Sequence, residues 1–510
     1  MRGRRFRAGD VARRTTAVLL VVLAAAMFSA VARAAKAATA TWQRAAVTTT
    51  SLQRIDGFGA SGAWWPNDVV DFTPAAQEQI GALLFGRAGI ALSSYRFNIG
   101  AGGSLSDPVR ETQSFLVRPG VWDWTRDPGG MRFLRLAHDY RVPTITGFAN
   151  SAPPFWTTNR RVCGGRLVAA DQAAYAAYLA RVATHLRRAE GITLSYLSPM
   201  NEPDASFAGC GQEGMAVRVS RRASLVGAVR RALGFATPTR VLADESSLLG
   251  TQLVPEAPGW APEAGRSLGA LAHHGYDYPD GRTFRRAASL ATRLGKPLRM
   301  TETCCFDGRG FGPDYDPTMG SGLWLANTIW QALAQGNETG FDWWTALSPE
   351  LGCDPAALPA CPEVANGDGW NDGLLYYDGN FRQDGNEQVY VTKRYWVLGN
   401  FSRYVRPGSV RHQVVESIPG VRLLASHRLT RWTVIAIDNR APGSAGLSLR
   451  VELPLVPANR LGVLQAFQTG ASSDLTPVGP PRTDAAGTGF FIHLPSQSVT
   501  TVVAPTVKRG

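Results

Sequence analysis

The amino-acid sequence predicts a (β/α)8 barrel of the TIM type followed by a C-terminal antiparallel β-sandwich. Between Ile55 and Val405, short apolar runs that end in polar clusters alternate with helical stretches rich in alanine, leucine and arginine. This alternation is typical of repeated strand–helix units, and eight of them fit a barrel with enlarged loops. After Arg406-Pro407-Gly408 the helical patterning stops and alternating strand-like runs follow, which indicates a sandwich of about 100 residues.

Residues 1–37 are predicted to be an export signal. Clustered arginines precede the apolar run Ala17–Phe28, and small residues ending near Ala34 or Ala37 follow it. At about 12 residues the run is too short to span a bilayer. Removing residues 1–37 takes away eight basic residues and one acidic residue, so the formal net charge falls from +13 to +6. We expect a secreted monomer with no membrane segment and no nucleic-acid partner; Arg13-Arg14 leaves the twin-arginine route open.

The remaining chain is divided by its patterning into three parts. Residues 38–54 are expected to add a strand to the sandwich, residues 55–405 to form the barrel and residues 406–510 the sandwich. An open doubly wound sheet is the alternative, but no Gly-x-Gly-x-x-Gly follows the first strand. The eight predicted strands end at Gly57–Gly59, Tyr95–Asn98, Gly147–Asn150, Met200–Glu202, Ala243–Glu245, His273–Tyr276, Met300–Glu302 and Phe341–Trp344. The predicted helices span 75–85, 130–140, 171–189, 215–233, 283–294, 320–335 and 390–404.

Six cysteines, an even number in an exported chain, predict disulfides. Cys353 and Cys361 enclose a short loop that contains proline, and they are the expected pair. The other four cysteines are at positions 163, 210, 304 and 305.

Cys304 and Cys305 are adjacent in the sequence. Adjacent Cα atoms lie about 3.8 Å apart, below the roughly 4.4 to 6.8 Å usual for a disulfide, so these two are expected not to pair with each other. Cys163 and Cys210 follow the third and fourth strands on the same face of the barrel, and they are possible partners for the adjacent pair. Such cross-loop disulfides would brace the barrel mouth.

Two glutamates at strand ends are the candidate catalytic residues. In Ser198-Pro199-Met200-Asn201-Glu202-Pro203, the final proline helps to end the strand and leaves Glu202 at the rim. Glu302 follows the apolar strand Pro297–Met300 in the same way, 100 residues later. Three units of a plain barrel take roughly 94 residues. The two glutamates are therefore expected to end strands four and seven and to face each other.

Such a pair has a defined chemistry. Two carboxylates about 5 to 5.5 Å apart perform retaining glycoside hydrolysis, in which one attacks the anomeric carbon and the other protonates the leaving oxygen. Their environments must separate their pKa values, with that of the acid raised and the nucleophile kept ionised. Arg96, at the end of the second strand, is the candidate cation that keeps the nucleophile charged.

A sugar also needs apolar platforms and hydrogen-bonding groups around it. The candidate platforms are Trp64, Trp65, Trp156 and Trp343, all in predicted loops or strand ends at the same mouth. On the sixth strand, His274 and Tyr276 are two residues apart and share a face.

Two other chemistries are less well supported. His273, His274, Asp277, Asp280, Cys304 and Cys305 are ligand types, but no His-Glu-x-x-His or paired Cys-x-x-Cys spacing is present. We therefore predict no metal site and no cofactor. The Gly-x-Ser-x-Gly elbow of a serine hydrolase is also absent.

Several motifs together resemble glycoside hydrolase family 30, a clan A family with a (β/α)8 barrel and an attached β-sandwich. They are Asp56–Gly62, Tyr95–Gly100, Asn150–Trp156, Met200–Pro203, Thr301-Glu302 and Phe401–Gly408. The resemblance implies that Glu202 is the acid/base, Glu302 the nucleophile and Asn201 the partner of the sugar 2-hydroxyl. It also implies that Arg96, Trp156, Tyr276 and Trp343 surround the cleaved sugar. Asn150 and His274 are further candidate substrate-binding residues.

Within the family, the segments Gly59–Pro66 and Arg96–Gly103 are most similar to endo-β-1,6-galactanases, which act on arabinogalactan side chains. Thr303-Cys304-Cys305 departs from the residues expected after the nucleophile. The same mechanism acting on β-1,6-glucan, glucuronoxylan or a glucosylceramide-like glycoside is the second hypothesis. A carbohydrate-binding protein without activity is the third, and the presence of both glutamates argues against it.

Overall fold

The computed structural model describes residues 42–508 except residues 206 and 457, so the predicted export signal lies outside the described residues. Eight parallel strands form a closed barrel, which confirms the predicted fold class. In chain order, the first to eighth barrel strands are Gly57–Gly62, Ser94–Asn98, Thr144–Phe148, Tyr196–Ser198, Arg240–Ser246, Leu268–His274, Leu298–Glu302 and Gly340–Trp343.

The strand register determines which side chains face the barrel interior. The barrel closes where the eighth strand pairs with the first, with Gly340 opposite Gly57. Along the seventh strand, Met300 pairs with His273 but Glu302 pairs with His274, an irregularity of one residue. Because of it, Arg299 and Glu302 both face the interior although they are an odd number of residues apart.

Amphipathic helices surround the barrel where the sequence predicts them. The helices of eight or more residues are Pro74–Phe85, Pro128–Asp139, Gln172–Ala189, Val219–Leu233, Gly281–Leu294, Met319–Trp330 and Lys393–Ser402. The helix predicted to start at Met215 begins instead at Val219, because Met215–Ala216 pairs with Gly165–Arg166 in a short parallel ladder. Single helical turns and two-residue strands fill the long loops. Among the described residues no helix has both the length and the apolar character needed to cross a membrane.

The C-terminal part of the chain forms a mostly antiparallel eleven-stranded sheet. Its strands are Gln43–Arg54, Val410–Glu416, Val421–Arg428, Arg431–Asp438, Leu447–Glu452, Asn459–Leu461, Gln465–Gly470, Ser473–Val478, Arg482–Thr483, Gly489–Leu494 and Ser498–Lys508. The strand Gln43–Arg54 lies inside this sheet, antiparallel to Val410–Glu416 and parallel to Leu447–Glu452.

Side chains of the sheet alternate between two cores. Val434 and Ala436 belong to a core within the sheet region, whereas Ile435 and Ile437 pack into the larger core of the barrel. This alternation is the period of two expected for a strand that is buried on both faces. The sheet therefore packs against the outside of the barrel, on the helices Met319–Trp330 and Lys393–Ser402.

Candidate active site

Loops at the carboxyl ends of the barrel strands enclose a cavity of about 800 Å³. Seven of the catalytic, binding and platform residues predicted from the sequence line it: Trp64, Trp65, Asn150, Asn201, Glu202, Tyr276 and Glu302. A cavity of this size is within the range of roughly 300 to 1,000 Å³ found for ligand sites. The carboxyl ends of parallel strands have thus brought together residues that are far apart in the sequence.

Glu302 is held by two hydrogen-bond donors. Arg96 donates from Nη1 to Glu302 Oε2 at 2.8 Å, and the Tyr276 hydroxyl donates to Glu302 Oε1 at 2.6 Å. Arg96 is fully buried, and its Nη2 donates to Glu245 Oε1 at 2.9 Å. Burial lowers the pKa of Arg96, but the carboxylates of Glu245 and Glu302 raise it above the usual range. Each oxygen of the Glu302 carboxyl group therefore accepts one of these hydrogen bonds.

Glu202 has a different environment. Its Oε1 lies 2.9 Å from Nδ1 of His274. Burial, together with the nearby carboxylate of Asp204, raises the pKa of Glu202 to about 8. Burial also lowers the pKa of His274, so the imidazole beside Glu202 carries no charge at neutral pH. Glu202 is consequently protonated at neutral pH.

The two carboxyl groups are close together. One oxygen of Glu202, one oxygen of Glu302 and one ring nitrogen of His274 all lie within 4.8 Å of one another. This geometry could also hold a metal ion. However, the Arg96 guanidinium already lies against Glu302 and supplies positive charge there, and the raised pKa of Glu202 suits a proton donor better than a ligand.

A third glutamate, Glu245, belongs to the same cluster. Its carbonyl accepts a hydrogen bond from the Glu202 amide at 3.0 Å. Glu202 and Glu245 have φ values of +46° and +56°, in the left-handed region that only a few per cent of non-glycine residues occupy. The sequence prediction did not include Glu245 in the site. The signal was nevertheless present, because Ala243-Asp244-Glu245 also ends an apolar strand in a carboxylate.

Two predicted platforms do not lie on the cavity wall. Trp343 is fully buried and donates from its indole to the Asp372 carbonyl at 2.7 Å. Trp344, its neighbour, lines the cavity instead and packs edge-to-face on Trp64 at 5.0 Å. Consecutive residues at a strand end point to opposite sides, so Trp344 faces the cavity and Trp343 does not. Trp156 packs among aromatic rings outside the cavity lining.

The cysteine pairing differs from the prediction in one respect. Cys353 and Cys361 form the expected disulfide. Cys163 and Cys210, however, pair with each other, with Cα atoms 5.3 Å apart. They do so because their loops follow neighbouring barrel strands.

The remaining two cysteines, Cys304 and Cys305, form a disulfide between adjacent residues. The expectation that these two would not pair was wrong, and so was the expectation of cross-loop disulfides from them to Cys163 and Cys210. Both sulfur-bearing residues line the cavity beside Glu302.

The chain is similar to known proteins over much of its length. The model of O-glycosyl hydrolase family 30 matches residues 44–247. An endo-β-1,6-galactanase of Hypocrea rufa is 23% identical over 389 residues, which cover 69% of this chain and 72% of that protein. Among solved structures, a conserved exported protein from Bacteroides fragilis superposes with a TM-score of 0.75 at 21% identity, covering 90% of this chain and 100% of that one. The catalytic domain of xylanase C, a family 30 enzyme from Talaromyces cellulolyticus, gives 0.68 at 21% identity, covering 91% and 100%.

Proposed function

Because the chain belongs to glycoside hydrolase family 30 and is a glycosidase, we propose that it is a secreted, retaining endo-β-1,6-galactanase. In this proposal it acts as a monomer on the β-1,6-galactan side chains of arabinogalactan. The acid–base pair supports the reaction type. The relative from Hypocrea rufa, which is named an endo-β-1,6-galactanase, supports the choice of glycan.

The observation that carries the proposal is the spacing of the two glutamates. An oxygen of Glu202 lies within 4.8 Å of an oxygen of Glu302. Retaining glycosidases need carboxyl groups about 5 to 5.5 Å apart, whereas inverting enzymes leave about 6.5 to 9.5 Å for a water molecule. The pair is therefore close enough for direct attack on the anomeric carbon and too close for the inverting geometry.

In the first step, a carboxylate oxygen of Glu302 attacks the anomeric carbon and the bond from that carbon to the glycosidic oxygen breaks. Glu202 gives its proton to the departing oxygen, so the leaving sugar departs as a neutral alcohol. The different surroundings of the two glutamates support these roles, because Glu202 is protonated at neutral pH and Glu302 is hydrogen-bonded by Arg96 and Tyr276.

In the second step, water attacks the same carbon of the glycosyl–enzyme ester. Glu202, now ionised, takes a proton from that water, and Glu302 leaves as a carboxylate. Arg96 and Tyr276 stabilise the charge that returns to Glu302. Asn201 accepts from Arg96 Nη2 through its side-chain oxygen at 3.3 Å, which leaves its amide nitrogen as a donor for the sugar 2-hydroxyl.

The substrate is tested with three polymers: de-arabinosylated arabinogalactan, β-1,6-glucan and glucuronoxylan. We expect β-1,6-galactobiose and longer β-1,6-galactan oligosaccharides from the first polymer only. A faster reaction on the glucan or the xylan would favour the second hypothesis, for which the likeness in fold to a xylanase is the specific observation.

The mechanism is tested separately, by following the anomer of the first product by NMR. Retention predicts that the β-anomer forms first and then mutarotates. If the α-anomer formed first, Glu302 would not be a nucleophile. A protein that bound the three polymers and released no reducing ends would instead be a carbohydrate-binding protein.

Export is tested by N-terminal sequencing of the secreted protein, which should begin near residue 38.

A further inference from the structure

The segment after Glu302 forms a short hairpin on the cavity wall. The disulfide between Cys304 and Cys305 lies at its start, and both cysteines line the cavity. The Gly312 amide donates to the Cys305 carbonyl at 3.1 Å, which closes the hairpin. Cys305 has a φ of +63°, a conformation that a non-glycine residue holds only where its surroundings enforce it. The bridge therefore lies in a fixed position two residues from Glu302.

The hairpin has one anchored side and one free side. Phe306 stacks on Trp324 with ring centroids 5.4 Å apart and so fixes the hairpin to the barrel. Phe311 is 59% exposed and lines the cavity. Its ring lies 5.6 Å from that of Tyr276 and 5.3 Å from that of Trp370. A single exposed phenylalanine is ordinary on a protein surface, but this one continues the cavity lining outward from the tyrosine that binds Glu302.

We propose that the Cys304–Cys305 disulfide, Phe311 and Trp370 form an apolar wall that binds the sugar unit next to the cleaved bond. This inference rests on the proposed function and extends it from the reaction to the choice of glycan. Below, the apolar wall means these four residues.

The chemistry of the wall fits the CH-rich face of a hexopyranose. A disulfide has no hydrogen-bond donor and offers a polarisable, apolar surface. The faces of the two aromatic rings are apolar as well. The wall adjoins the catalytic cavity, since all four of its residues line it together with Glu202 and Glu302. A chain bound at the two glutamates consequently places its neighbouring unit against this surface. Because the wall has no ionisable group, it acts on binding and selectivity and not on proton transfer.

The test compares Phe311→Ala, Trp370→Ala and the double variant Cys304→Ser/Cys305→Ser with the wild type. Kinetics are measured on whichever of the three polymers the wild type cleaves fastest. Contacts made equally in the ground state and the transition state affect KM and leave kcat almost unchanged. We expect KM to rise roughly tenfold in each variant, equivalent to losing about 1.4 kcal/mol of binding, and kcat to fall by less than about threefold.

The matched control is Cys353→Ser/Cys361→Ser, which removes a disulfide whose cysteines do not line the cavity. It should keep the wild-type KM. An unchanged KM in both Phe311→Ala and Trp370→Ala would refute the wall while leaving the proposed function intact. A wild-type protein that cleaves none of the polymers would refute the proposed function itself. If the Cys304→Ser/Cys305→Ser protein fails to fold, the two aromatic variants still decide the outcome.

Discussion

The barrel interior contains two arginine–carboxylate clusters of similar composition, and their comparison separates structure from chemistry. The upper cluster, at the mouth, consists of Arg96, Glu245 and Glu302. The lower cluster consists of Arg299, Asp56 and Asp342. Both arginines are fully buried and each lies between two carboxylates. The N–O distances are 2.8 and 2.9 Å in the upper cluster and 3.2 and 3.5 Å in the lower one.

The difference between the clusters is what surrounds the carboxylates. Arg299 lies three residues before Glu302 on the seventh strand, about 10 Å deeper in the barrel, and no member of the lower cluster lines the cavity. Glu302 lines the cavity, accepts a hydrogen bond from Tyr276 and has Glu202 beside it. Both clusters therefore place an arginine between two carboxylates, but only the upper one has a second, protonated carboxyl group and a cavity beside it.

Glu302→Gln should have the largest effect, because an amide cannot form or release the glycosyl ester. We expect kcat to fall by on the order of 10⁵-fold or more, as for the loss of a covalent nucleophile. The measurement is the rate of reducing-end release by the purified variant. Full activity in this variant would show that another group attacks the sugar.

Asp342→Asn is the matched change in the lower cluster. It should leave the activity per folded molecule unchanged, since Asp342 does not line the cavity. Chemical denaturation should instead show a loss of about 1.5 to 3 kcal/mol in the free energy of unfolding, the usual contribution of a hydrogen bond to a charged group. A fall in activity as large as that of Glu302→Gln would erase the distinction between the clusters.

Glu202→Gln should rank second. Removal of a general acid costs about 10² to 10⁴-fold, so kcat on galactan should fall within that range. A substrate with a nitrophenolate leaving group needs no proton from Glu202. For this substrate, the rate of cleavage of the glycosidic bond should therefore fall less than it does for galactan. Equal losses on the two substrates would contradict the role of Glu202 as the acid.

Tyr276→Phe should have a third, smaller effect. It removes the 2.6 Å hydrogen bond to Glu302 and keeps the ring that packs on Phe311. A hydrogen bond to a charged group contributes about 1.5 to 3 kcal/mol, which corresponds to a decrease of roughly 10 to 100-fold in kcat/KM. Steady-state kinetics on the wild-type substrate measure it, and a change confined to KM would mean that the hydroxyl contacts only the sugar.

The sequence predicted the two glutamates beside the cavity better than the rest of the two clusters. Asn-Glu-Pro and the spacing of 100 residues between the glutamates identify Glu202 and Glu302, because strand ends and unit length follow from local patterning. Glu245 and the lower cluster were not identified, since each depends on which side of a strand faces the interior. For Arg299 that side depends on the irregularity between Met300 and Glu302, and for Glu245 on one between Asp244 and Ser246. Both arise from pairing with a neighbouring strand and not from the local sequence.

The cavity-facing tryptophan and the Cys304–Cys305 disulfide could not be predicted from the pattern of apolar and polar residues. The choice between Trp343 and Trp344 follows from the register at barrel closure, where Trp343 pairs with Ala60. The Cys304–Cys305 disulfide joins Cα atoms that are closer together than the usual distance range, which describes disulfides between separate segments. Cys305 lies in the left-handed region, a backbone state that the sequence Thr303-Cys304-Cys305 does not reveal.

The pH dependence of kcat/KM should show a further difference between the two glutamates. The pKa of Glu202 is raised to about 8, mainly by burial, so the acid form is lost as the pH rises through about 8. Above that value kcat/KM should fall roughly tenfold per pH unit.

The raised pKa of Glu202 also affects the stability of the folded protein. The unfolded chain releases this proton near pH 4.5 and the folded chain near pH 8, so the contribution of Glu202 to the free energy of unfolding decreases between these values as the pH rises.

The variants identify the group that titrates. In Glu202→Gln the alkaline decrease should disappear from the residual activity, because a glutamine has no proton to lose. In Tyr276→Phe it should persist, since burial and the charge of Glu302 already hold the pKa of Tyr276 well above its usual value. If the decrease remained in Glu202→Gln, a group other than Glu202 would control the alkaline pH dependence. The separation of the two glutamates into acid and nucleophile would then lose its electrostatic basis, although their spacing would stand.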